Sequence, residues 1–339
     1  MEAFSAKRKR QNRKLIGLLG DPTVSLDSIH RIVSQLGTDE VPHSKYALSK
    51  TYKERFNHVR HTETLINKVG GEDNWNFCEP GRLLQYMVET CPRLQSIYIE
   101  AAMEYGETEW RLVITFDEMT PGDKLKSNNA RKSMSLCFNF LELGRRWLIV
   151  PCVWMFPVFV RTALYNGVEG GWSNFLRIYL ERQFFGASAL QTAGVPLMLD
   201  GQLFVLRAKL EHLLSDGSGL QSALCWRGHA SLRPCWFHWN CTKKGAAIQE
   251  HSAELVDITC TDNRRFKKMT DADLEDAIAL IEAAARRLAA NEMTNDMFNT
   301  ICMSKGITYN RHGILFKRRV RKLVATPGKS NCVVVSRVS

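Results

Sequence analysis

At Glu109 the patterning of the chain changes from helical to extended, and this change restricts the fold more than any other stretch. Trp110–Phe116 (WRLVITF) is a dense apolar, β-branched run that stops at Asp117. Ser135–Leu143 (SLCFNFLEL) and Trp147–Val160 (WLIVPCVWMFPVFV) read as two further strands. Runs of β-branched and aromatic residues suit a pleated surface better than a helix. Val195–Leu199, Asp200-Gly201 and Gln202–Leu206 read as strand, tight turn and strand. Ala208–Leu214 continues as strand or helix and ends in Ser215-Asp216-Gly217. Between these runs, Gly171–Phe185 sets Phe175, Leu176, Tyr179, Leu180 and Gln183 at helical spacing, as an amphipathic helix would. Pattern alone thus gives a mixed α/β body.

The flanks read as helical. Ser25–Leu36 places Ile29, Ile32, Val33 and Leu36 on one face, with Ser25 or Asp27 as cap. Residues 44–67 are polar, basic and helical in pattern, and Gly70–Pro80 is a turn-rich break. Gly81–Tyr105 is helical with a boundary or kink at Pro92. Thr270 caps Asp271–Asn291, whose acids fill the first turns where they favour the helix dipole. The expected division is a basic disordered arm at 1–24, an α-helical accessory region at 25–106, an α/β core at 107–265, a helical segment at 266–323 and a tail at 324–339. No repeat of solenoid length is present.

Lys and Arg number 46 against 35 Asp and Glu, a net charge of +11. The excess sits at the ends. Lys7, Arg8, Lys9, Arg10, Arg13 and Lys14 crowd the first segment, and Lys317, Arg318, Arg319, Arg321 and Lys322 the last. A near-neutral body with basic ends suits a polyanion, nucleic acid first and an anionic membrane surface second. The run Lys7–Lys14 reads as a nuclear-import or nucleic-acid-contacting arm, and a nuclear location is expected. The ten cysteines are spread singly, and no apolar segment follows the basic start, so free thiols in a reducing intracellular compartment are expected. Trp147–Val160 is the longest apolar run; it carries two prolines and is too short to span a bilayer, so no membrane partner is expected.

Three constellations carry candidate chemistry. Asp117 ends an apolar strand in Val113–Gly122 (VITFDEMTPG), where a rigid element would hold a carboxylate for a hard cation. The alternative is a turn before Pro121-Gly122. Asp216 follows Ala208–Leu214 in the same way, although Asp-Gly is also a common turn pair. Trp226–Cys241 (WRGHASLRPCWFHWNC) offers Cys235, His238 and Cys241, with Cys225 and His229 upstream, as zinc donors at a spacing unlike a standard finger. In the same stretch Arg227 and Arg233, with Trp226, Trp236 and Trp239, offer phosphate and stacking contacts. Aromatic core beside a loop is the competing reading. No P-loop and no nucleophile elbow is present, and no small-molecule cofactor is expected.

The ordered set resembles the catalytic region of DDE-type transposases of the CACTA/Plavaka kind, and more closely a large protist family of transposon-derived proteins. The residues that carry it are the strand with Asp117 and Pro121-Gly122, Asn129–Glu142 (NARKSMSLCFNFLE), Gly170-Gly171-Trp172-Ser173, and Leu213–Asn240 with its Asp-Gly, Trp-x-x-Gly and Pro-Cys-x-x-His. The resemblance runs from Gly81 to Leu323. It implies an RNase H-like mixed sheet flanked by helices, with Asp117 and Asp216 as the first two acids holding Mg²⁺ or Mn²⁺ for in-line attack on a DNA phosphate. It also implies a third acid beyond Gly313-Ile314-Leu315, yet that segment runs into Lys317–Lys322 and no Asp or Glu follows Asp296. Asp257, Glu275 and Glu282 are upstream substitutes that no motif supports. Relatives often carry a cysteine where this chain has His238, which would make the zinc knuckle a drifted one. The expected function is therefore a truncated or catalytically decayed DNA strand-transferase that still binds DNA. A non-enzymatic nucleic-acid-binding protein, or an α/β scaffold with basic tails, is the alternative.

Overall fold

A computed structural model describes residues 57–119, 132–186, 189–246, 248 and 252–324. The chain divides into two compact units, Met1–Arg60 and His61–Ser339. The Lys7–Lys14 arm and the helix expected at Ser25–Leu36 lie outside the described residues.

The second unit is built on a four-stranded mixed sheet. Its strands are β3 (Trp110–Met119), β4 (Ser133–Phe140), β5 (Met155–Arg161) and β8 (Ala208–Leu214), in the order β5-β4-β3-β8. β3–β4 and β4–β5 pair antiparallel, whereas β3 and β8 run parallel. A parallel neighbour needs a long crossover. Here the crossover holds α4 (Thr162–Gly167), α5 (Gly171–Phe185) and the hairpin β6 (Val195–Leu199) and β7 (Gln202–Leu206).

One face of the sheet is the core. Leu112, Ile114 and Phe116 of β3 alternate inward and are buried, as are Leu136, Phe138 and Phe140 of β4. Phe116 meets Trp172 of α5 at 5.7 Å between ring centres. Trp110 packs on Phe140 and on Tyr98, which belongs to α2 (Pro92–Tyr105). α1 (Pro80–Thr90) precedes α2, and Pro92 opens the second helix at a position where its missing N–H costs nothing.

α5 is not the amphipathic helix that its charged positions suggest. It is buried on nearly every side, including Ser173, Asn174 and Gln183. Two of these polar groups serve as ties. Ser173 Oγ donates to the Ala223 carbonyl at 2.5 Å and accepts from Ile314 N at 3.1 Å, and Asn174 Nδ2 donates to the Glu169 carbonyl at 2.9 Å.

Residues 60–78, expected as a helix end and a turn-rich break, form a strand pair instead: β1 (Arg60–Ile66) and β2 (Glu72–Cys78). Their period is two. Trp75 and Phe77 point inward while Asn74 and Asn76 stay outside, where they accept from Thr64 and Thr62 across the pair. Trp75 also meets Phe175 of α5 at 4.6 Å, so the pair is stabilised by burial against the central helix. Trp147–Val160 is likewise not one strand. It overlaps α3 (Arg145–Leu148), a 3₁₀ turn at Pro151–Val153 and then β5, because Pro151 fits the first position of a turn better than the middle of a ladder.

Beyond β8 come α6 (Gly217–Leu224) and the short parallel pair β9 (Cys241–Thr242) and β10 (Val256–Asp257). Three helices close the described chain: α7 (Asp271–Ala289), α8 (Asn295–Lys305) and α9 (Arg318–Val324). α9 returns onto α5 and β8. Among the described residues no helix is long and apolar enough to cross a membrane.

α7 starts with a reciprocal cap. Asp273 N donates to Thr270 Oγ1 at 3.2 Å, and Thr270 N donates to Asp273 Oδ2 at 2.8 Å. Replacing Thr270 by Ala removes the acceptor, so Thr270→Ala is expected to cost about 1 kcal/mol. A urea titration should show this as a lower midpoint with unchanged slope.

Candidate functional site

The second face of β3 carries Val113, Thr115 and Asp117, and its far end is open to solvent at Asp117. Antiparallel register sets Asp117 opposite Ser135 of β4, and Ser135 opposite Phe159 of β5. On the other side, parallel register sets Thr115 beside Leu214 of β8. The ladder ends there: Asp117 lies two residues further on β3, and Asp216, two residues past the end of β8, is near enough for its charge to act on Asp117.

Each acid is held by its own backbone. Asp117 Oδ1 accepts from Glu118 N at 2.7 Å. Asp216 caps α6: its Oδ1 accepts from Gly219 N at 2.6 Å, and Ser218 Oγ donates to both carboxylate oxygens at 2.9–3.0 Å. Gly219 lets the cap close tightly: a Cβ there would stand 2.0 Å from Ser215 Oγ and 3.0 Å from Asp216 Oδ1, so both side chains would have to move. The Asp117 carboxyl is pushed above its ordinary value, by partial burial first and by the Asp216 charge second. Two like charges held at one sheet end form a donor pair that a hard cation would relieve.

No upstream acid joins them. Among the described residues no three His, Cys, Asp or Glu side chains are arranged to hold a metal ion. Glu275 of α7 is bound to Arg321 instead, Nε to Oε1 at 3.0 Å with a second contact from Nη2 to Oε2, and this guanidinium holds the Glu275 carboxyl low. Asp257 sits in β10 and accepts from Thr259 N and Oγ1 at 2.8 and 2.7 Å. Glu282 lies on α7.

No protein-family model and no curated protein matches this sequence. Function therefore has to be argued from the residues alone.

The cations split into two groups. Lys317, Arg318, Arg319 and Lys322 are exposed at the start and along one side of α9, with Arg319 lying 3.9 Å above the Phe185 ring. Arg321 is only 6% exposed and spends its remaining Nη1 on the Leu315 carbonyl, so it is a buried structural group and not the surface contact expected of it. Arg233 departs in the same way: it is buried, and its Nη1 donates to the Trp239 carbonyl at 2.8 Å. Arg227 is half-buried and donates to Thr308 Oγ1 at 3.1 Å. Trp226, Trp236 and Trp239 pack against the core, which is the aromatic-core reading of this segment.

The cysteine segment brings together part of its expected set. Cys235 Sγ lies 3.2 Å from His238 Nδ1, and Cys241 lies close enough to Cys235 to interact with it. Burial, followed by Cys235, pushes the Cys241 thiol up to about 11. Burial, followed by Lys268, holds His238 below its ordinary value and thus neutral at pH 7. Cys225 turns away; its sulfur accepts from Asn310 Nδ2 at 3.2 Å. His229 sits exposed in the 3₁₀ turn Gly228–Ala230. Each cysteine among the described residues is a free thiol.

Sequence reading did not single out the aromatic residues of β5. Phe156 and Phe159 stand three apart, a spacing that puts them on opposite faces of a regular strand. The signal was Pro157 between them, since proline within a strand marks an edge or a bulge.

Proposed function

We propose that this chain binds nucleic acid through an RNase H-like sheet of transposase ancestry, with two acids that hold a divalent cation at a phosphate but without efficient strand cleavage. The observation that supports this reading is that Asp117, on β3, feels the charge of Asp216, which caps the helix after the parallel neighbour β8. The donor set fits Mg²⁺ or Mn²⁺: hard carboxylate oxygens on rigid elements, one of them raised by partial burial and then by its neighbour's charge. When bound, such an ion polarises a phosphoryl oxygen as a Lewis acid.

The chain's own residues supply the rest. The α6 cap fixes the Asp216 carboxylate, and pairing with Ser135 of β4 fixes the backbone of Asp117. Lys317, Arg318, Arg319 and Lys322 give α9 an exposed positive face that attracts a polyanion over a long range. A third carboxylate would complete a two-ion site, but among the described residues no third acid is grouped with these two. Weak or absent cleavage is expected from a site with two acids. The cap at Asp216 also favours a second reading, in which the acid only starts a helix and the basic surface alone binds nucleic acid without any metal.

Fluorescence anisotropy with a labelled DNA strand and duplex tests the proposal. Affinity should fall linearly with salt on logarithmic axes, as condensed counterions are released. Mn²⁺ or Ca²⁺ should tighten binding to the natural chain and leave Asp117→Asn unmoved; equal behaviour of both selects the metal-free reading. Salt-insensitive binding would overturn DNA binding altogether. Robust Mn²⁺-dependent cleavage, abolished by Asp117→Ala, would overturn the inactive part.

A further inference from the structure

We infer that Cys235 and Cys241 are a peroxide-oxidisable pair that closes reversibly to a disulfide, with His238 taking the proton of the attacking thiol. The assignment is independent of the nucleic-acid reading above.

The pair follows from a turn. Cys241 N donates to the His238 carbonyl at 3.3 Å, which folds the chain back so that residues 235, 238 and 241 meet. Cys235 Sγ lies 3.2 Å from His238 Nδ1, and the Cys241 thiol is in hydrogen-bond contact with Cys235. Backbone ties hold this turn in place. Met269 N donates to the Phe237 carbonyl at 2.8 Å, and Trp239 N to the Lys267 carbonyl at 3.2 Å. Asn240 Nδ2 donates to the carbonyls of Glu254 and Arg265, each at 2.9 Å, and its Oδ1 accepts from Lys267 N at 2.7 Å. The two sulfurs therefore stay together without help from a bond between them.

The two thiols are not equivalent. Cys235 is partly exposed and Cys241 is buried in β9. A reactive cysteine needs access, a base and positive charge nearby. Among the described residues Cys235 is the one cysteine whose sulfur touches an imidazole. Lys268 pairs with His238 through a backbone bridge and places a cation near the ring. Cys235 is thus the thiol that attacks, and Cys241 the one that resolves. In a reducing compartment such a disulfide is a transient, sensing bond and not a structural one.

The chemistry balances with hydrogen peroxide as the oxidant. His238 Nδ1 takes the Cys235 proton, and the sulfur attacks one peroxide oxygen. The O–O bond breaks, and the leaving oxygen departs as water with that proton, which leaves a sulfenic acid. The Cys241 sulfur then attacks the Cys235 sulfur. The S–O bond breaks, and the hydroxyl leaves as a second water with the Cys241 proton. Two thiols lose two electrons, and the peroxide is reduced to two waters.

The test treats the purified full chain with low hydrogen peroxide, alkylates the remaining thiols and maps peptides by mass. Trypsin releases both cysteines in one peptide, Gly228–Lys243, because Arg233 precedes a proline. That peptide should become two hydrogens lighter and escape alkylation before the exposed Cys152 reacts, and dithiothreitol should reverse the change. Cys241→Ser should stop at a sulfenic acid on Cys235 that dimedone captures. His238→Asn should slow the oxidation of Cys235 about a hundredfold, the low end for a positioned base. Cys241 is buried, so Cys235→Ser, at a partly exposed site, keeps the test open if Cys241→Ser does not fold: it should leave Cys241 open to alkylation after peroxide. Oxidation of Cys152 as fast as Cys235, or no change of rate in His238→Asn, would overturn the activated pair. One equivalent of zinc carried by the natural chain and lost in Cys235→Ser would show the thiols to be metal ligands, and would overturn it as well.

Discussion

Arg321→Ala is expected to lower stability by about 3 kcal/mol, the low end for breaking a buried ion pair. The side chain carries the same charge as its exposed neighbours and reads like them in sequence, yet its environment is opposite. It is 6% exposed, grips both oxygens of Glu275 and donates to the Leu315 carbonyl. The loss combines a buried aliphatic stem, a charge-assisted pair and an acceptor left without its donor. Glu275 is partly exposed and regains water, which keeps the cost from rising further. Arg321→Lys should recover little, since an ammonium cannot reach three acceptors with a fixed planar fork. Arg318→Ala, at an exposed position, should stay within about 0.5 kcal/mol. Urea midpoints for the three variants decide the matter. Equal midpoints for Arg321→Ala and Arg318→Ala would place the Arg321 guanidinium in solvent.

Asp117→Asn should change the response to metal more than any other single replacement. In metal sites generally, altering a residue that only hydrogen-bonds to a ligand costs about 10–100-fold in affinity, so in the proposed function removing the Asp117 carboxylate should cost at least that. The natural chain should melt higher with millimolar Mn²⁺, because an ion that binds only the folded state stabilises it by mass action. Asp117→Asn should lose this rise. Without metal the sign reverses. The folded Asp117 carboxyl is raised, so the folded state holds its proton more tightly than the unfolded chain does. Its penalty on folding is absent below the ordinary carboxylate value, grows as pH climbs through the raised value and is complete above it. At neutral pH without metal the Asn variant should therefore melt at or slightly above the natural chain. A lower melting point in both conditions would mean that Asp117 serves the fold alone.

Much of the scaffold could be read from local pattern, because its signals are local. The β-branched run of β3, the Asp200-Gly201 turn between β6 and β7, and the Thr270 cap of α7 all report their structure within a few residues. β1 and β2 could not be read in this way: their polar faces hid a period of two, and Trp75 and Phe77 are held by α5, far away in sequence. At the site, two strand-end acids were visible, but their adjacency was not. Parallel pairing of β3 with β8 is a long-range event that no spacing encodes. Burial of Arg233 and Arg321 was hidden for the same reason, since charge is printed in the sequence and its partner is not. The β5 bulge was marked only by Pro157.

The carboxylate of Asp216 caps α6 and, in the proposed function, also holds a cation, and a single atom exchange can separate the two. Asparagine starts a helix about as well as aspartate, so an amide at 216 would keep the cap on α6 while discarding the charge that a cation needs. Glutamate would do the reverse, keeping charge and losing the short reach to Gly219. The two exchanges would therefore separate what the fold needs from Asp216, a short acceptor for Gly219 N, from what a cation would need, a negative charge.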